Sequence, residues 1–290
     1  MTTTTTTKSV LVIGATGQQG GAVVNHLLSG QYGEFDVRGL SRCPDSDAAQ
    51  SLTERGVTVV EGDLLDRQSL QKAVNGVDAI YAMTDYFAAG GYEADVEHGT
   101  NIAEIAAEAD VDHYVFSSVE GADRETGIPF FDSKYEVEQH LNGLDLPLTI
   151  IRLTNFMQNF EAQREEIRAG TLATPIEEGV TLQMVDVDDI GALAATVFAD
   201  LDRYVGETLP LASDEAKPAG MAAQFGEILS TNMGVQHVPI EGVRAEMGEG
   251  YAAMYEWLND AGHEVDIGAL RAETGLEVTP FEEYLRTNWS

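Results

Sequence analysis

The stretch Gly14-Ala15-Thr16-Gly17-Gln18-Gln19-Gly20 constrains this chain more than any other. It directly follows the apolar run Ser9-Val10-Leu11-Val12-Ile13 and directly precedes the amphipathic segment Ala22 to Leu28. A strand that enters a glycine turn and then a helix puts the helix's N-terminal amides, and the positive end of its dipole, where a pyrophosphate can rest. Each glycine has its own task. Gly14 permits the tight bend, Gly17 lets the backbone approach phosphates, and Gly20 lets helix and strand pack closely. The alternative is a turn that binds nothing, and the strand-turn-helix context weighs against it.

The pattern set by this unit continues. Phe35-Asp36-Val37-Arg38-Gly39-Leu40 reads as a second strand ending at Ser41-Arg42-Cys43-Pro44. Dinucleotide folds that prefer the unphosphorylated cofactor place an acid here to accept from the ribose 2′-OH. Arg42 at this position suits a 2′-phosphate instead, or is a solvated loop cation. Val57 to Glu61 is a third strand leading to Gly62-Asp63-Leu64, so Asp63 and Leu64 stand at the ligand edge as candidates for an adenine contact. Asp63 or Asp66 would serve equally as the cap of the next helix. Val77 to Met83 is the fourth strand, and Met83 with Thr84-Asp85-Tyr86-Phe87 at its carboxyl end is expected to line the cofactor. A long helix is predicted over Glu93 to about Ala109, with a lone His98 read as structural. A fifth strand over His113 to Phe116 ends in Ser117-Ser118, a helix covers Phe130 to Leu141, and Leu146 to Arg152 is a sixth strand.

Strict strand-helix alternation predicts an α/β fold, a doubly wound parallel Rossmann sheet with right-handed crossovers. Beyond Arg152 the alternation loosens. Helices are expected over Asn155 to Ala169, Val185 to Asp200, Gly220 to Asn232, Ala245 to Leu258 and Asp266 to Thr274, and strands over Glu207 to Leu211 and Gln236 to Ile240. Residues 1–152 thus read as the dinucleotide-binding domain. Residues 153–290 partly complete its sheet and partly form a smaller, mostly helical cap over the ligand edge, the expected seat of a substrate or partner.

Composition narrows the function classes. The net charge of −33 is spread through every segment, and lysine occurs only at Lys8, Lys72, Lys134 and Lys217. An evenly acidic, lysine-poor surface suits a protein kept soluble in concentrated salt, where charges are screened within about 3 Å at molar strength. The expectation is a halophile's cytoplasmic protein, against an acidic patch built for one basic partner. No basic stripe exists to neutralise nucleic-acid phosphates. No apolar run approaches the roughly 18 residues of a membrane span. The polar leader Met1 to Thr7 has no apolar core and is expected to fray. Cys43, the single cysteine, has no partner for a disulfide or a zinc site, which fits a reducing compartment and no metal.

In short-chain dehydrogenases a Tyr-x-x-x-Lys pair on the helix after the fifth strand transfers the proton, the lysine lowering the tyrosine pKa and holding the nicotinamide ribose. Here Phe130-Phe131-Asp132-Ser133-Lys134 keeps the lysine and replaces the tyrosine with Phe130. Ser117, 13 residues earlier, occupies a place suited to the substrate-orienting serine. Lys134 is the candidate catalytic residue, as a ribose anchor or an acid/base, with Ser117 as its companion. Tyr81, Tyr86 or Tyr92 could supply a proton from elsewhere.

Taken together, Val10 to Gly21, Ser41-Arg42-Cys43-Pro44, Gly62-Asp63, Thr84-Asp85-Tyr86, Phe116-Ser117, Phe131 to Glu138, Arg152-Leu153-Thr154-Asn155-Phe156, Val185 to Gly191 and Thr274-Gly275-Leu276 resemble the NmrA-like, HSCARG-type branch of the atypical short-chain dehydrogenases. The resemblance covers nearly the whole chain. It implies a Rossmann domain that binds NADP(H), with Arg42 at the 2′-phosphate, Gln18 and Gln19 near the pyrophosphate, and Lys134 with Asn155 and Phe156 near the nicotinamide. It also implies two functions. One is an NADPH-dependent reductase of a small carbonyl, quinone or enone-type molecule; the other is a sensor of NADPH and NADP⁺ that regulates a protein partner with little turnover, using the Thr84 to Glu93 region with Gly90-Gly91 as hinge. A nucleotide-sugar epimerase or dehydratase is a third option, and it normally needs the tyrosine that Phe130 lacks.

Overall fold

The alternation of apolar runs and amphipathic helices folds as a seven-stranded parallel sheet. The computed structural model describes residues 7–290, and the leader residues Met1 to Thr6 lie outside them. The strands are β1 (Lys8–Val12), β2 (Phe35–Ser41), β3 (Thr58–Glu61), β4 (Ala79–Ala82), β5 (His113–Val119), β6 (Leu148–Leu153), β7 (Asn155–Phe156), β8 (Thr171–Thr174), β9 (Leu182–Val185), β10 (Thr208–Leu211), β11 (Asp214–Ala216) and β12 (Gly234–His237). The large sheet runs β10-β6-β5-β4-β1-β2-β3, so the strand order reverses direction between β1 and β4. In an open sheet of this kind a ligand binds at that switch point, outside the carboxyl ends of the strands.

Strands buried on both faces must be apolar throughout, and β4 is buried at every position while Val10, Leu11 and Val12 of β1 have no exposed surface. The edge strand β3 alternates less cleanly and leaves Thr58 and Glu61 exposed. Helices α1 (Gln18–Leu28), α2 (Asp47–Glu54), α3 (Arg67–Val74), α4 (Tyr86–Ala89), α5 (Tyr92–Glu108) and α6 (Pro129–Asn142) form the crossovers. Their starts follow local capping chemistry. Ser46 accepts from the Ala49 amide, Asp66 from Gln68, and Asp85 from both Phe87 and Ala88.

The chain divides into two compact units, each discontinuous. The sheet unit takes residues up to Val119, Ser133–Arg152 and Ile190–Leu209, and the second unit takes Glu120–Asp132, Leu153–Asp189 and Pro210–Ser290. The single cut after residue 152 read from the sequence is therefore crossed by two excursions. Residues 190–209 belong with the sheet because Gly191 of α8 (Val187–Ala199) lies directly on α1, where a Cβ would stand 2.5 Å from the Ala22 carbonyl oxygen.

The second unit departs most from expectation. The helix predicted over Asn155 to Ala169 is instead β7, a 3₁₀ segment over Met157–Gln163 and α7 (Arg164–Arg168). Pairing of Asn155 and Phe156 with Met184 and Val185 of β9 overrides local helix propensity. The helix predicted over Ala245 to Leu258 is two helices, Ile240–Met247 and Glu249–Asp260, broken at Gly248, whose φ of +92° ends the first. The strand expected through Ile240 stops at His237, because Pro239 is the extended cap of the following helix. The unit's core is aromatic. Phe225 meets Phe160, Phe281 and Trp289 at centroid distances of 4.8–5.5 Å, and the Arg164 guanidinium lies 4.3 Å from the Trp289 ring centroid.

Candidate functional site

The glycine turn in the sheet unit has the form its sequence predicts. Ile13 donates to the Tyr81 carbonyl at 2.9 Å, the chain bends at Gly14 with φ of +73°, and the Gly17 amide closes the turn onto the Gly14 carbonyl at 2.8 Å. A Cβ on Gly14 would stand 2.7 Å from Met83 Sδ, and one on Gly20 would stand 2.3 Å from the Gly14 oxygen. Both positions exclude any side chain without movement of the backbone or of Met83. Gly17 is the extended N-cap of α1 and supplies no side-chain oxygen, so the first-turn amides have no capping group. Thr16, Gly17 and Gln18 are exposed at this rim. The cradle and the uncapped helix end fit a bound pyrophosphate.

Gln19 reaches across the turn. Its Oε1 accepts from Ser117 Oγ at 2.8 Å and from the Tyr81 hydroxyl at 3.3 Å. Ser117 is buried, and its hydroxyl is thereby committed to fixing a glutamine of the turn. Tyr81 is fully buried, and burial raises its pKa above the ordinary tyrosine value, which makes it a weaker acid. Of the other tyrosines considered, Tyr92 donates to Glu136 Oε2 at 2.5 Å, and Tyr86 sits in α4 with its ring edge-on to Phe87.

Arg42 is exposed in the loop after β2 and makes no ion pair with any described residue. The neighbouring Cys43 amide donates to Ser41 Oγ at 3.1 Å, which shapes the loop. Asp63 closes a local turn by accepting from the Leu65 amide at 2.9 Å, while Asp66 is the cap of α3. The capping role open to either aspartate falls to Asp66. Leu64 is half-buried against the sheet-unit core.

Lys134 is more enclosed than an ordinary helical lysine. Its Nζ donates to the Thr84 carbonyl at 2.8 Å, to Thr84 Oγ1 at 2.5 Å, and to Asp95 Oδ1 and Oδ2 at 2.9 and 3.0 Å. Asp95 has no exposed surface and also accepts from Ser133 Oγ at 2.7 Å. Burial pulls the Lys134 pKa down, against the raising effects of Asp95 and Asp85. Thr84, predicted at the cofactor, is thus the direct partner of the predicted catalytic lysine.

Asn155 and Phe156 belong to the second unit, in β7, both half-buried. Asn155 Nδ2 lies 3.2 Å from His263 Nε2, and His263 Nδ1 lies 2.5 Å from Glu120 Oε2. The ring therefore bridges the Glu120 carboxylate and the Asn155 amide. Arg124 pairs with the other Glu120 oxygen. His263 was missed in the sequence, and no local signal marks it, since its carboxylate partner lies 143 residues away. Phe130, the residue in the tyrosine position, packs on Tyr251 with ring centroids 5.7 Å apart. Among the described residues no group of three or more His, Cys, Asp or Glu could hold a metal, and no helix is long and apolar enough to cross a membrane.

Known proteins share this architecture. An NmrA-like family domain-containing protein of Dictyostelium discoideum is 30% identical over 303 residues, spanning 96% of this chain and 97% of that protein. The solved triphenylmethane reductase of Citrobacter sp., complexed with NADP(H), has a TM-score of 0.81 at 24% identity and covers 96% of this chain and 99% of its own. NmrA, a negative transcriptional regulator solved with NAD, has a TM-score of 0.77 at 19% identity and covers 98% of this chain and 95% of its own. At these identities the two structures share the fold. Residues 6–285 match the NmrA-like family, and the chain belongs to that family.

Proposed function

We propose that this chain binds NADP(H) at the glycine turn and reduces a small carbonyl, quinone or enone-type molecule. The observation that carries the cofactor choice is Arg42. In a chain of net charge −33, an exposed arginine beside the end of β2 with no carboxylate partner among the described residues is a vacant cation where a 2′-phosphate would lie. Gly14, Thr16, Gly17, Gln18, Gln19 and Gly20 would receive the pyrophosphate, Asp63 and Leu64 the adenine side, and Met83 and Thr84 the inner part of the molecule. Lys134 is assigned to the nicotinamide end, as the candidate proton donor. When bound, the cofactor supplies a hydride.

Affinity for NADPH and NADH, measured in molar salt, tests this reading. Arg42→Asp should weaken NADPH binding by about a hundredfold, the scale of a charge-assisted phosphate contact replaced by repulsion, and leave NADH within a fewfold. An equal fall for both cofactors removes the 2′-phosphate assignment.

A second reading, a redox sensor acting on a protein partner, is favoured by one feature. The three hydrogens of the Lys134 ammonium already have acceptors in Thr84 and Asp95, so the lysine has no donor to spare until one contact is exchanged. NADPH oxidation with a panel of quinones, enones and aldehydes separates the two. Turnover with any of them supports the reductase. Binding without turnover, together with different affinities or conformations for NADPH and NADP⁺, supports the sensor. The acidic surface further predicts a cytoplasmic protein of a halophile, whose melting temperature rises with salt.

A further inference from the structure

The buried Asp95 is a charged group of the sheet unit to which the proposed function gives no task. It sits in the first turns of α5, wholly enclosed, and accepts from Ser133 Oγ and from Lys134 Nζ. An ion pair between neighbouring helices invites the explanation that it clips them together. The helices do not need such a clip. One turn further along each, Gly99 of α5 meets Val137 of α6 so closely that a Cβ on Gly99 would stand 2.6 Å from Val137 Cγ2. A buried ion pair is moreover a weak source of stability, because desolvating both charges cancels most of their attraction.

What the pair does accomplish is local. A lysine enclosed this far tends to lose its proton, and two carboxylates face it against that tendency, Asp95 from α5 and Asp85 from the cap of α4. Asp85 already accepts from two amides of α4. Of the two carboxylates, only Asp95 hydrogen-bonds the ammonium. The remaining donors then point at Thr84, which follows Met83, and Met83 is the side chain against Gly14. We propose that Asp95 is the positioning residue of Lys134: its carboxylate keeps the ammonium protonated and aims it at Thr84, on the rim of the glycine turn. This rests on the reading that the cofactor binds at that turn, and the test separates the two.

Two measurements on the full-length protein in molar salt carry it. The first is the NADPH dissociation constant across about pH 6 to 10 for the wild type, Asp95→Asn, Asp95→Glu, Lys134→Met and the Asp95→Asn/Lys134→Met pair. Asp95→Asn should bind nearly normally at the acid end and about tenfold more weakly at the alkaline end, its loss of affinity beginning about one pH unit below that of the wild type. Asp95→Glu should restore the wild-type profile, and Asp95→Asn should add nothing in the Lys134→Met background. An unmoved profile in Asp95→Asn, or an equal loss with and without Lys134, overturns the proposal and leaves Asp95 a structural charge.

The second measurement needs no cofactor. With only four lysines in the chain, reductive methylation by formaldehyde and cyanoborohydride can be followed at Lys134 by mass spectrometry. Asp95→Asn should raise its rate about tenfold, as more of the amine is neutral and unheld. An unchanged rate overturns the proposal even where NADPH binds as expected. Failure of the wild type to bind NADPH overturns the cofactor reading and leaves the methylation result standing. If Asp95→Asn does not fold, Asp95→Glu decides: a rate within about twofold of wild type supports retention of charge as the cause, and a tenfold rise overturns it.

Discussion

In the sheet unit, two buried polar contacts lie at the carboxyl ends of strands and join different strand-helix repeats. Ser117 after β5 meets Gln19 of α1, and Lys134 of α6 meets Thr84 after β4. In the second unit the corresponding groups come from segments that belong to no strand-helix repeat. Glu120 meets His263, and Asp189 accepts from Ser213 Oγ and from the Thr279 amide. The cores differ in the same sense. The sheet unit packs aliphatic side chains from alternating strands and helices, whereas the second unit gathers Phe160, Phe225, Phe281 and Trp289 from three well-separated stretches. A repeating unit places its polar groups by periodicity. An irregular one places them by long-range closure, and its stability rests on fewer, larger contacts.

That contrast can be broken at four points. Phe225→Ala should have the largest effect, about 3–5 kcal/mol, because it empties the centre of the aromatic cluster. A melting temperature lowered by only a degree or two would show that the cluster closes over the cavity. Gly20→Ala should cost about 3 kcal/mol, since its Cβ would enter the Gly14 carbonyl, and nucleotide binding should fall with it. Retention of both stability and binding would mean that the turn has room the geometry denies.

The third point is His113, whose pKa burial and then Lys8 lower from 6.5 to about 4. Between those values the unfolded chain binds the proton and the folded one does not. The stability that the neutral ring contributes is therefore complete above pH 6.5 and falls on acidification toward pH 4, by up to about 3 kcal/mol. Denaturation of His113→Met should lose that component of the acid sensitivity, and an identical pH profile would refute it. Smallest should be Asp66→Ala, about 1 kcal/mol for a lost helix cap. If Asp63→Ala costs as much as Asp66→Ala, the cap has been assigned to the wrong aspartate.

Legibility in the sequence follows the same divide. The glycine turn, Arg42 after β2, Thr84 after β4 and Lys134 on α6 were all readable because each is defined within a few residues by a strand end or a helix start. Asp95 was not singled out. Nothing in a helical acid among other acids distinguishes one with no exposed surface from its solvated neighbours. Asn155 was placed at the ligand by resemblance, but its helix was misread, because pairing with β9 is information 29 residues away. His263 carried no signal at all.

The sequence by itself determined the doubly wound sheet, since the periods of its apolar residues and the positions of its glycines are local consequences of strand, turn and helix geometry. It also singled out Arg42 after β2, through the rarity of basic residues in so acidic a chain. Only the tertiary structure decided which polar groups are spent and which are free. Ser117 is tied to Gln19, Lys134 is saturated by Thr84 and Asp95, and Arg42 has no ion-pair partner among the described residues. Hydrogen-bond capacity is a property of the folded neighbourhood, and burial sets its value by removing the water that would otherwise satisfy every group alike.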